Sequence, residues 1–256
     1  MATLDSMSTS SLSGYLNSTS NKFDAGKKLA WKHIESNQGF VAFSGGKDST
    51  VSLHLALQSD PEIPVCFYDS GLEFPENLAY IHSIAKLYNL NLHIIKSNPT
   101  VLEILRRQAS FDHKRIPAGL QTTLIEAKME IPSQEAHERF GQGRIWGLRA
   151  EESRARRMLL VPRHGSFTNK SGETITSPVW DWSTPQIFAY LKKNNIPENP
   201  LYEKMRSLGV EEKGLRVGSI IDGSNLDYGR ITWLKRGWPD IYDRLRIALP
   251  RIDEFR

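Results

Sequence analysis

Residues 41–50, Val-Ala-Phe-Ser-Gly-Gly-Lys-Asp-Ser-Thr, constrain the fold more than any other stretch, because a Ser/Gly loop here joins an apolar segment to an amphipathic one. Residues 38–43 predict a short strand, and the apolar residues of 51–57 predict a helix. Gly45 and Gly46 let the backbone approach a ligand closely, while the first helical turn presents N–H groups and the positive end of the helix dipole. The stretch therefore predicts a strand–loop–helix unit that binds an anion such as phosphate.

The polar side chains of the loop suit the same role. Lys47 supplies a cation, Ser44, Ser49 and Thr50 supply hydroxyl donors, and Asp48 supplies a carboxylate for a magnesium ion that shields phosphates. The spacing excludes Gly-x-x-x-x-Gly-Lys-Ser/Thr, which needs a glycine at position 41 and a hydroxyl at position 48, and it does not fit Gly-x-Gly-x-x-Gly. The alternative is a glycine-rich turn that only caps a helix with Ser or Asp.

Length and composition limit the classes of protein to consider. A chain of 256 residues suits one large domain, or one domain with a smaller appendage. Its 39% hydrophobic and 24% charged residues are typical of soluble proteins, and no apolar run reaches membrane-spanning length. Since no cationic start precedes an apolar segment, we expect a cytoplasmic protein without a membrane partner. The net charge of +4 suits an anionic nucleotide but does not establish nucleic-acid binding.

The sequence contains a single cysteine, Cys66. One cysteine cannot form a disulfide within the chain, and it cannot supply the several thiolates that an iron–sulfur cluster or a cysteine-rich zinc site requires. We therefore expect no iron–sulfur cluster and no structural zinc.

The order of the apolar segments predicts an α/β fold. Residues 64–68 predict a second strand, which ends in Asp69-Ser-Gly71, and residues 90–95 predict a third strand after an intervening helix. This alternation predicts a mostly parallel, twisted sheet flanked by helices. Ligands of such sheets lie beyond the carboxyl ends of the strands, so Asp69 and Gly71 are candidates for the same site as the loop.

A run of arginines follows the next predicted strand, which contains Gly147. Residues 149–157, Arg-Ala-Glu-Glu-Ser-Arg-Ala-Arg-Arg, include four guanidinium groups, which can grip phosphate or sulfate in two-point geometry. We expect Arg149 and Arg154 to point inward toward the anion. Two residues between them orient the arginines or cap the following helix: Glu152 and Ser153. The alternative is a solvated helix face, which is what such a run usually means.

The remaining segments define the predicted domains. Residues 1–21, rich in Ser and Thr, predict a mobile tail; residues 22–203 predict the nucleotide-binding α/β domain; residues 204–256 predict a basic, helical C-terminal extension. Within the domain, residues 99–139 predict irregular helices that cover the pocket, bind a second substrate or form a peripheral excursion. Residues 161–176 predict a polar hairpin or loop.

Several motifs, in a fixed order, carry a resemblance to a known family. They are Ser44-Gly-Gly-Lys-Asp-Ser49, Asp69-Ser-Gly71, Phe74-Pro-Glu76, Gly147-Leu-Arg-Ala-Glu-Glu-Ser-Arg154, Pro178-Val-Trp-Asp-Trp182 and Asn199-Pro-Leu-Tyr202. The first resembles the PP-loop of the ATP pyrophosphatases, and the set, across about residues 38–203, resembles the phosphoadenosine phosphosulfate (PAPS) reductase family. The resemblance implies an adenine nucleotide α-hydrolase-like, Rossmann-like fold. In that fold the PP-loop holds phosphate or sulfate, Asp69 lies near the nucleoside and the arginine loop clamps the anion.

One motif of that family is missing. Its sulfonucleotide reductases attack the substrate sulfur with a cysteine in a Glu-Cys-Gly-Leu-His segment, whereas this sequence has no cysteine after Cys66. Without that nucleophile, the resemblance favours an ATP pyrophosphatase. Such an enzyme would cleave the α–β bond of ATP, or of a related adenine nucleotide, and adenylylate a second substrate, as in FAD synthesis or sulfur transfer.

This hypothesis assigns two sets of residues. The catalytic candidates are Lys47, Asp48, Arg149 and Arg154, acting by positioning and charge stabilisation, with magnesium at Asp48. The nucleotide-binding candidates are Ala42, Phe43, Ser44, Gly45, Gly46, Ser49, Thr50, Asp69, Gly71, Gly147, Glu152, Ser153 and Arg157.

Two other functions stay open. One is a sulfonucleotide reductase that releases sulfite from PAPS or its unphosphorylated relative, and the other is a nucleotide-binding partner module without catalysis. The second substrate is not named by the sequence. A sulfur-donor protein, a nucleic acid and a second copy of the chain also stay open as partners.

Overall fold

The computed structural model describes residues 9–109, 125–211, 214–218, 220, 230–249 and 252–254. The helices are α1 (Thr9–Ser36), α2 (Lys47–Leu57), α3 (Pro75–Leu87), α4 (Val101–Ala109), α5 (Ile131–Phe140), α6 (Arg154–Leu160), α7 (Thr184–Lys193), α8 (Pro200–Ser207), α9 (Arg230–Gly237) and α10 (Pro239–Ala248). The strands are β1 (Gly39–Ala42), β2 (Val65–Asp69), β3 (Leu92–Lys96), β4 (Gly143–Trp146), β5 (Ser166–Thr168) and β6 (Thr174–Thr176). Short π or 3-10 turns are Glu126–Glu130, Ala150–Glu152, Val161–Arg163 and Ile252–Glu254.

The six strands form a mostly parallel sheet in the order β3, β2, β1, β4, β6, β5. The pairs β2–β3, β1–β4 and β4–β6 are parallel, whereas β5 and β6 are antiparallel. The predicted α/β class, a mostly parallel sheet flanked by helices, is therefore confirmed. The antiparallel pair is the hairpin that residues 161–176 were predicted to supply.

The chain forms two compact units. The first consists of Met1–Phe43, Lys47–Pro64 and Phe140–Pro197, and the second of Ser44–Gly46, Val65–Arg139 and Glu198–Arg256. The described residues after 203 belong to the same unit as those of 65–139. The predicted domain boundary after residue 203 stays a prediction.

Aromatic packing joins α1 to α7 in the first unit. The Phe23 ring centroid lies 4.7 Å from that of Trp182 and 4.9 Å from that of Tyr190. The helix begins at Thr9, so residues 9–21, predicted to belong to a mobile tail, are helical; residues 1–8 lie outside the described part. The Ser- and Thr-rich composition did not predict this helix. Once a helix is anchored further along the chain, adding residues to its end has little free-energy cost per residue. Neither α1 nor another helix of the described residues is long and apolar enough to cross a bilayer.

Residues of α8, α9 and α10 build the core of the second unit together with the segment after β2. The buried cluster includes Leu72, Phe74, Val101, Leu105, Leu201, Met205, Leu234, Trp238, Ile241 and Leu245. Phe74 packs on Trp238 at 4.6 Å between ring centroids, and Glu76 accepts hydrogen bonds from Lys204 Nζ at 2.6 Å and from Trp238 Nε1 at 2.8 Å. Tertiary burial of these apolar faces explains why the C-terminal segment belongs to this unit.

The irregular region 99–139 also lies in the second unit. Its described residues contain α4, the π turn Glu126–Glu130 and most of α5, while residues 110–124 lie outside the described part. The predicted role of this region in covering a pocket or binding a second substrate stays a prediction.

Candidate functional site

The predicted phosphate loop is divided between the two units. Ser44–Gly46 belong to the second unit, and Lys47, the first residue of α2, belongs to the first. Gly45 has φ +78°, in the left-handed region that favours glycine. A Cβ atom on Gly45 would also lie 2.3 Å from Asn77 Oδ1, so packing and backbone conformation both exclude a side chain there.

Two asparagines hold the carbonyl groups of this loop. Asn77 Nδ2 donates to the Ser44 carbonyl at 3.1 Å, and Asn199 Nδ2 donates to the Gly45 carbonyl at 3.0 Å. The two amides are joined, because Asn199 Nδ2 also donates to Asn77 Oδ1 at 2.7 Å. Asn77 is 0% exposed and Asn199 is 2% exposed. The loop backbone therefore rests on a buried pair of amides.

The carboxyl end of β2 forms a second polar turn. Asp69 Oδ1 accepts a hydrogen bond from the Gly71 N–H at 2.9 Å, and Gly71 has φ +77°. The Ser70 hydroxyl donates to Glu73 Oε1 at 2.6 Å. Burial raises the pKa of Glu73 to about 7, although the hydrogen bonds from Ser70 act in the opposite direction. The turn thus combines the predicted residues Asp69 and Gly71 with a carboxyl group that titrates near neutral pH.

In the first unit, the start of α2 carries a three-residue ion network. Asp48 Oδ2 lies 3.0 Å from Lys47 Nζ, and Asp48 Oδ1 accepts from Arg149 Nε at 2.6 Å. The Asp48 carboxylate is thus engaged by one cation at each oxygen. Direct ligation of magnesium by Asp48 would require one of these cations to be displaced.

Arg149 is buried, with 3% of its surface exposed, and it makes contacts beyond Asp48. Its NH1 group donates to the Trp182 carbonyl at 3.1 Å and to Glu151 Oε2 at 3.2 Å, and its NH2 group donates to Thr184 Oγ1 at 3.1 Å. A buried guanidinium needs such partners because the loss of hydration is otherwise uncompensated. The geometry therefore gives Arg149 the role of holding the start of α2 and of α7.

Gly147 brings the end of β4 against the first turn of α2. A Cβ atom at Gly147 would lie 2.5 Å from the Ser49 backbone nitrogen and 2.6 Å from the Asp48 carbonyl carbon. Lack of space for a side chain explains the glycine here. Backbone conformation does not, because the φ of Gly147 is outside the left-handed region. The contact explains how the predicted arginine segment reaches Asp48.

The other arginines of the run differ in how exposed they are. The Arg149 N–H donates to Glu152 Oε2 at 2.9 Å, and the same oxygen accepts from Arg156 NH1. Ser153 caps α6 by accepting from the Arg156 N–H at 3.1 Å. The remaining two arginines of the run, Arg154 and Arg157, are exposed on α6. Arg154 thus lies exposed in the first turn of α6, and its predicted contact with an anion stays a prediction.

The other predicted residues line the strand and helix that flank the loop. Four of them are buried: Ala42 and Phe43 at the end of β1, and Ser49 and Thr50 in the first turn of α2. Burial makes the side chains of Ala42 and Phe43 packing residues, so any ligand contact there would involve the backbone.

Sequence reasoning did not assign several polar residues that the structure brings to these networks. They are Asn77, Asn199, Glu73, Glu151 and Thr184. Two signals were available for Asn199. It begins the Asn199-Pro-Leu-Tyr202 motif, and an asparagine before proline is a typical helix N-cap, which agrees with its acceptance from the Leu201 N–H at 3.0 Å. Asn77 gave no comparable signal, since its partners lie far away along the sequence.

The described residues offer neither an accessible thiol nor a ready metal cluster. Cys66 lies in β2, is 1% exposed, and burial raises the pKa of its thiol to about 12. No group of three or more His, Cys, Asp and Glu side chains that could hold a metal occurs among the described residues.

The family follows from a match across the sequence. Residues 38–218 match the model of the phosphoadenosine phosphosulfate reductase domain, which covers more than half of the chain and contains the loop, Gly147, Arg149 and both asparagines. The chain belongs to the PAPS reductase family. A PAPS reductase of Buchnera aphidicola is 30% identical over 189 residues, which cover 73% of this chain and 75% of the relative. One of Alteromonas mediterranea is 29% identical over 195 residues, covering 74% of each chain.

Solved structures show the same fold for this member of the PAPS reductase family. A phosphate complex of PAPS reductase from Candida auris superposes with a TM-score of 0.56 at 20% identity, covering 76% of this chain and 88% of that chain. FMN adenylyltransferase from Candida glabrata, in complex with FMN and the ATP analogue AMPCPP, superposes with a TM-score of 0.51 at 18% identity, covering 73% of this chain and 60% of that chain. At these identities the likeness concerns the fold alone, and it supports the predicted PP-loop, Rossmann-like architecture.

Proposed function

We propose that this protein binds an adenine sulfonucleotide such as PAPS through the loop at residues 44–50 and takes part in its reductive cleavage to sulfite. The observation that carries the proposal is the family match over residues 38–218, together with relatives named as PAPS reductases over about three quarters of their length. The loop supplies the anion-binding elements: left-handed Gly45, the N-terminal turn of α2 and the Lys47 ammonium.

The attacking thiol in this proposal comes from another molecule. The only cysteine in the sequence, Cys66, is buried in β2 with a raised thiol pKa, so it supplies little thiolate at neutral pH. An external dithiol would attack the sulfonate sulfur and break its bond to the nucleotide phosphate oxygen. Its second thiol would then release sulfite and leave a disulfide. The protein would position the nucleotide and stabilise the phosphate that leaves.

A second candidate is the cleavage of ATP between its α and β phosphates, with adenylylation of a second substrate. The observation that favours it is the same buried cysteine, because ATP cleavage needs no thiol. The magnesium predicted at Asp48 belongs to this candidate. Since Lys47 and Arg149 engage both Asp48 oxygens, phosphate oxygens and water would supply the ligands of a magnesium ion that arrives with ATP.

One assay separates the two candidates. The purified protein is incubated with PAPS and a dithiol, either thioredoxin or dithiothreitol, and in parallel with ATP and magnesium; sulfite and pyrophosphate are then measured. Sulfite from PAPS supports the first proposal, and its absence with both dithiols, together with pyrophosphate from ATP, would replace it with the second. Cys66→Ala should leave sulfite release unchanged, and a loss of release in that variant without loss of folding would contradict the external thiol.

The loop itself is tested by a matched pair of lysine variants. Lys47→Met removes the cation from the loop and should weaken nucleotide binding roughly tenfold or more. Lys86→Met removes an exposed lysine from α3 and should leave the affinity unchanged. Equal affinities of the two variants would exclude the loop as the phosphate site.

A further inference from the structure

We propose that Asn77 and Asn199 are positioning residues that hold the phosphate loop in its anion-binding conformation. The inference rests on the proposed binding of a nucleotide by the loop. It assigns a role to the Asn199-Pro-Leu-Tyr202 segment and to a residue of α3, neither of which carries a group that contacts the nucleotide in the proposal. All the contacts on which it depends lie within the second unit.

The hydrogen bonds of the two amides form a directed chain. The Leu201 N–H donates to Asn199 Oδ1 at 3.0 Å, which defines the oxygen end of that amide. The opposite Nδ2 group donates to the Gly45 carbonyl and to Asn77 Oδ1, which uses both of its hydrogens. Asn77 Nδ2 in turn donates to the Ser44 carbonyl. The start of α8 therefore determines the orientation of both amides, and through them the loop.

This arrangement determines where the loop N–H groups point. In a trans peptide unit the C=O and the following N–H point in opposite directions. Because the Ser44 and Gly45 carbonyls face the asparagines, the N–H groups of Gly45 and Gly46 face the other side of the loop. Successive N–H groups around a left-handed glycine form a concave site for an anion, and Gly45 has that conformation. The Ser44 hydroxyl accepts from the Gly46 N–H at 3.4 Å and so lies on this side too.

Burial makes the asparagines specific for this task. Both side chains lie almost fully inside the unit, where an unpaired carbonyl or amide is unfavourable. An apolar residue at either position would leave a loop carbonyl without its donor, and the peptide unit could then rotate to find another partner. An aspartate would place a negative oxygen against a carbonyl oxygen. The amide side chain supplies the donor and the acceptor that the chain of hydrogen bonds requires.

The test uses Asn199→Ser, which removes the amide donor but keeps an uncharged N-cap for α8. The matched control is Asn194→Ser, because Asn194 Nδ2 also donates to a backbone carbonyl, that of Tyr190 at 2.9 Å, in the first unit. Affinities for PAPS, ATP and adenosine are measured by calorimetry, and unfolding temperatures by scanning fluorimetry. Adenosine lacks phosphate, so its binding reports the nucleoside part of the site alone.

We expect Asn199→Ser to weaken binding of PAPS or ATP roughly tenfold or more, with adenosine affinity unchanged. Because it leaves two buried acceptors without a donor, Asn199→Ser should also lower the unfolding temperature more than Asn194→Ser does. Unchanged nucleotide affinity, or an equal loss for adenosine, would overturn the inference. If Asn199→Ser does not fold, Asn77→Ser is measured in the same way, since it leaves the α8 cap intact.

Nucleotide binding by the unmodified protein distinguishes failure of the proposed function from failure of this inference. If that protein binds neither PAPS nor ATP, the proposed function is wrong. The positioning role is then decided by hydrogen exchange of a peptide covering residues 40–50 in the ligand-free proteins. Faster exchange in Asn199→Ser than in Asn194→Ser would support it, and equal exchange would refute it.

Discussion

The ion pair between Asp48 and Arg149 allows a quantitative test of how the first unit holds the start of α2. Arg149 is 3% exposed, and its Nε lies 2.6 Å from Asp48 Oδ1. Removing one partner of a buried pair costs about 3–5 kcal/mol because the other charge is left uncompensated. Glu151 still faces Arg149, at 3.2 Å, so we expect Asp48→Ala to lower the free energy of unfolding by about 2–4 kcal/mol.

A double-mutant cycle isolates the pair. Asp48→Ala, Arg149→Met and the double variant are unfolded with urea, and the coupling between the two sites should be about 1.5 kcal/mol or more. The matched control is the exposed pair of Glu135 and Arg139, 3.2 Å apart on successive turns of α5, for which we expect about 0.3–0.5 kcal/mol. The slope of the free energy against urea concentration should be unchanged, as expected when the compactness of both states is retained.

The outcome that refutes this reasoning is a coupling as small as that of the control pair. Arg149 would then contribute little through Asp48, and its guanidinium would be available to bind an anion directly, as the sequence predicted. A large coupling instead supports a structural role for Arg149, with the loop and Lys47 left as the phosphate-binding elements.

Three further predictions concern the core and the close approaches. His33 is 5% exposed, neither ring nitrogen has a hydrogen-bond partner among the described residues, and burial lowers its pKa from 6.5 to about 4. Because the pKa of folded His33 lies below its unfolded value, neutral His33 contributes its full stabilisation above pH 6.5, and about 3 kcal/mol of unfolding free energy is lost as the pH falls toward 4. His33→Leu should flatten a plot of unfolding free energy against pH. An unchanged plot would contradict the assignment of this pH dependence to His33. Gly147→Ala should destabilise the protein by about 1–3 kcal/mol, because its Cβ would overlap the Ser49 backbone nitrogen. Gly218→Ala is the control and should be close to neutral, because no atom lies within 4 Å of its Cβ position. The two variants are compared by urea unfolding. Cys66 should react with a thiol reagent only after unfolding, and rapid labelling of the native protein would show that the thiol is accessible.

Local patterns in the sequence were sufficient to predict the fold class. The apolar stretches predicted β1 to β3 to within about two residues at each end, and their alternation with helices predicted a parallel sheet. The loop between β1 and α2, the turn after β2 and the cap at Ser153 also agree with the structure, because glycines, prolines and capping residues act through neighbouring backbone groups. These features depend on contacts that are short in sequence.

Contacts between distant parts of the chain account for the differences. The helical residues 9–21 extend from a helix whose anchor, Phe23, packs on residues more than 150 positions away. The C-terminal helices share a buried core with the segment after β2, which no periodicity within residues 204–256 could reveal. Arg149 is buried whereas Arg154 and Arg157 are exposed, a difference that the run of arginines did not reveal because it does not state which residues face solvent.

The sequence alone therefore determined that this protein has a strand–loop–helix element suited to phosphate and belongs with PP-loop proteins, since glycine, lysine and hydroxyl residues at that spacing act through the local backbone. Only the tertiary structure decided which side chains support that element. Asn77, Asn199 and Arg149 approach it from 33 to 154 residues away, and each is buried where its polar groups must find partners. Desolvation, which depends on the whole fold, turns these side chains from ordinary polar residues into the groups that hold the loop and the helix that follows it.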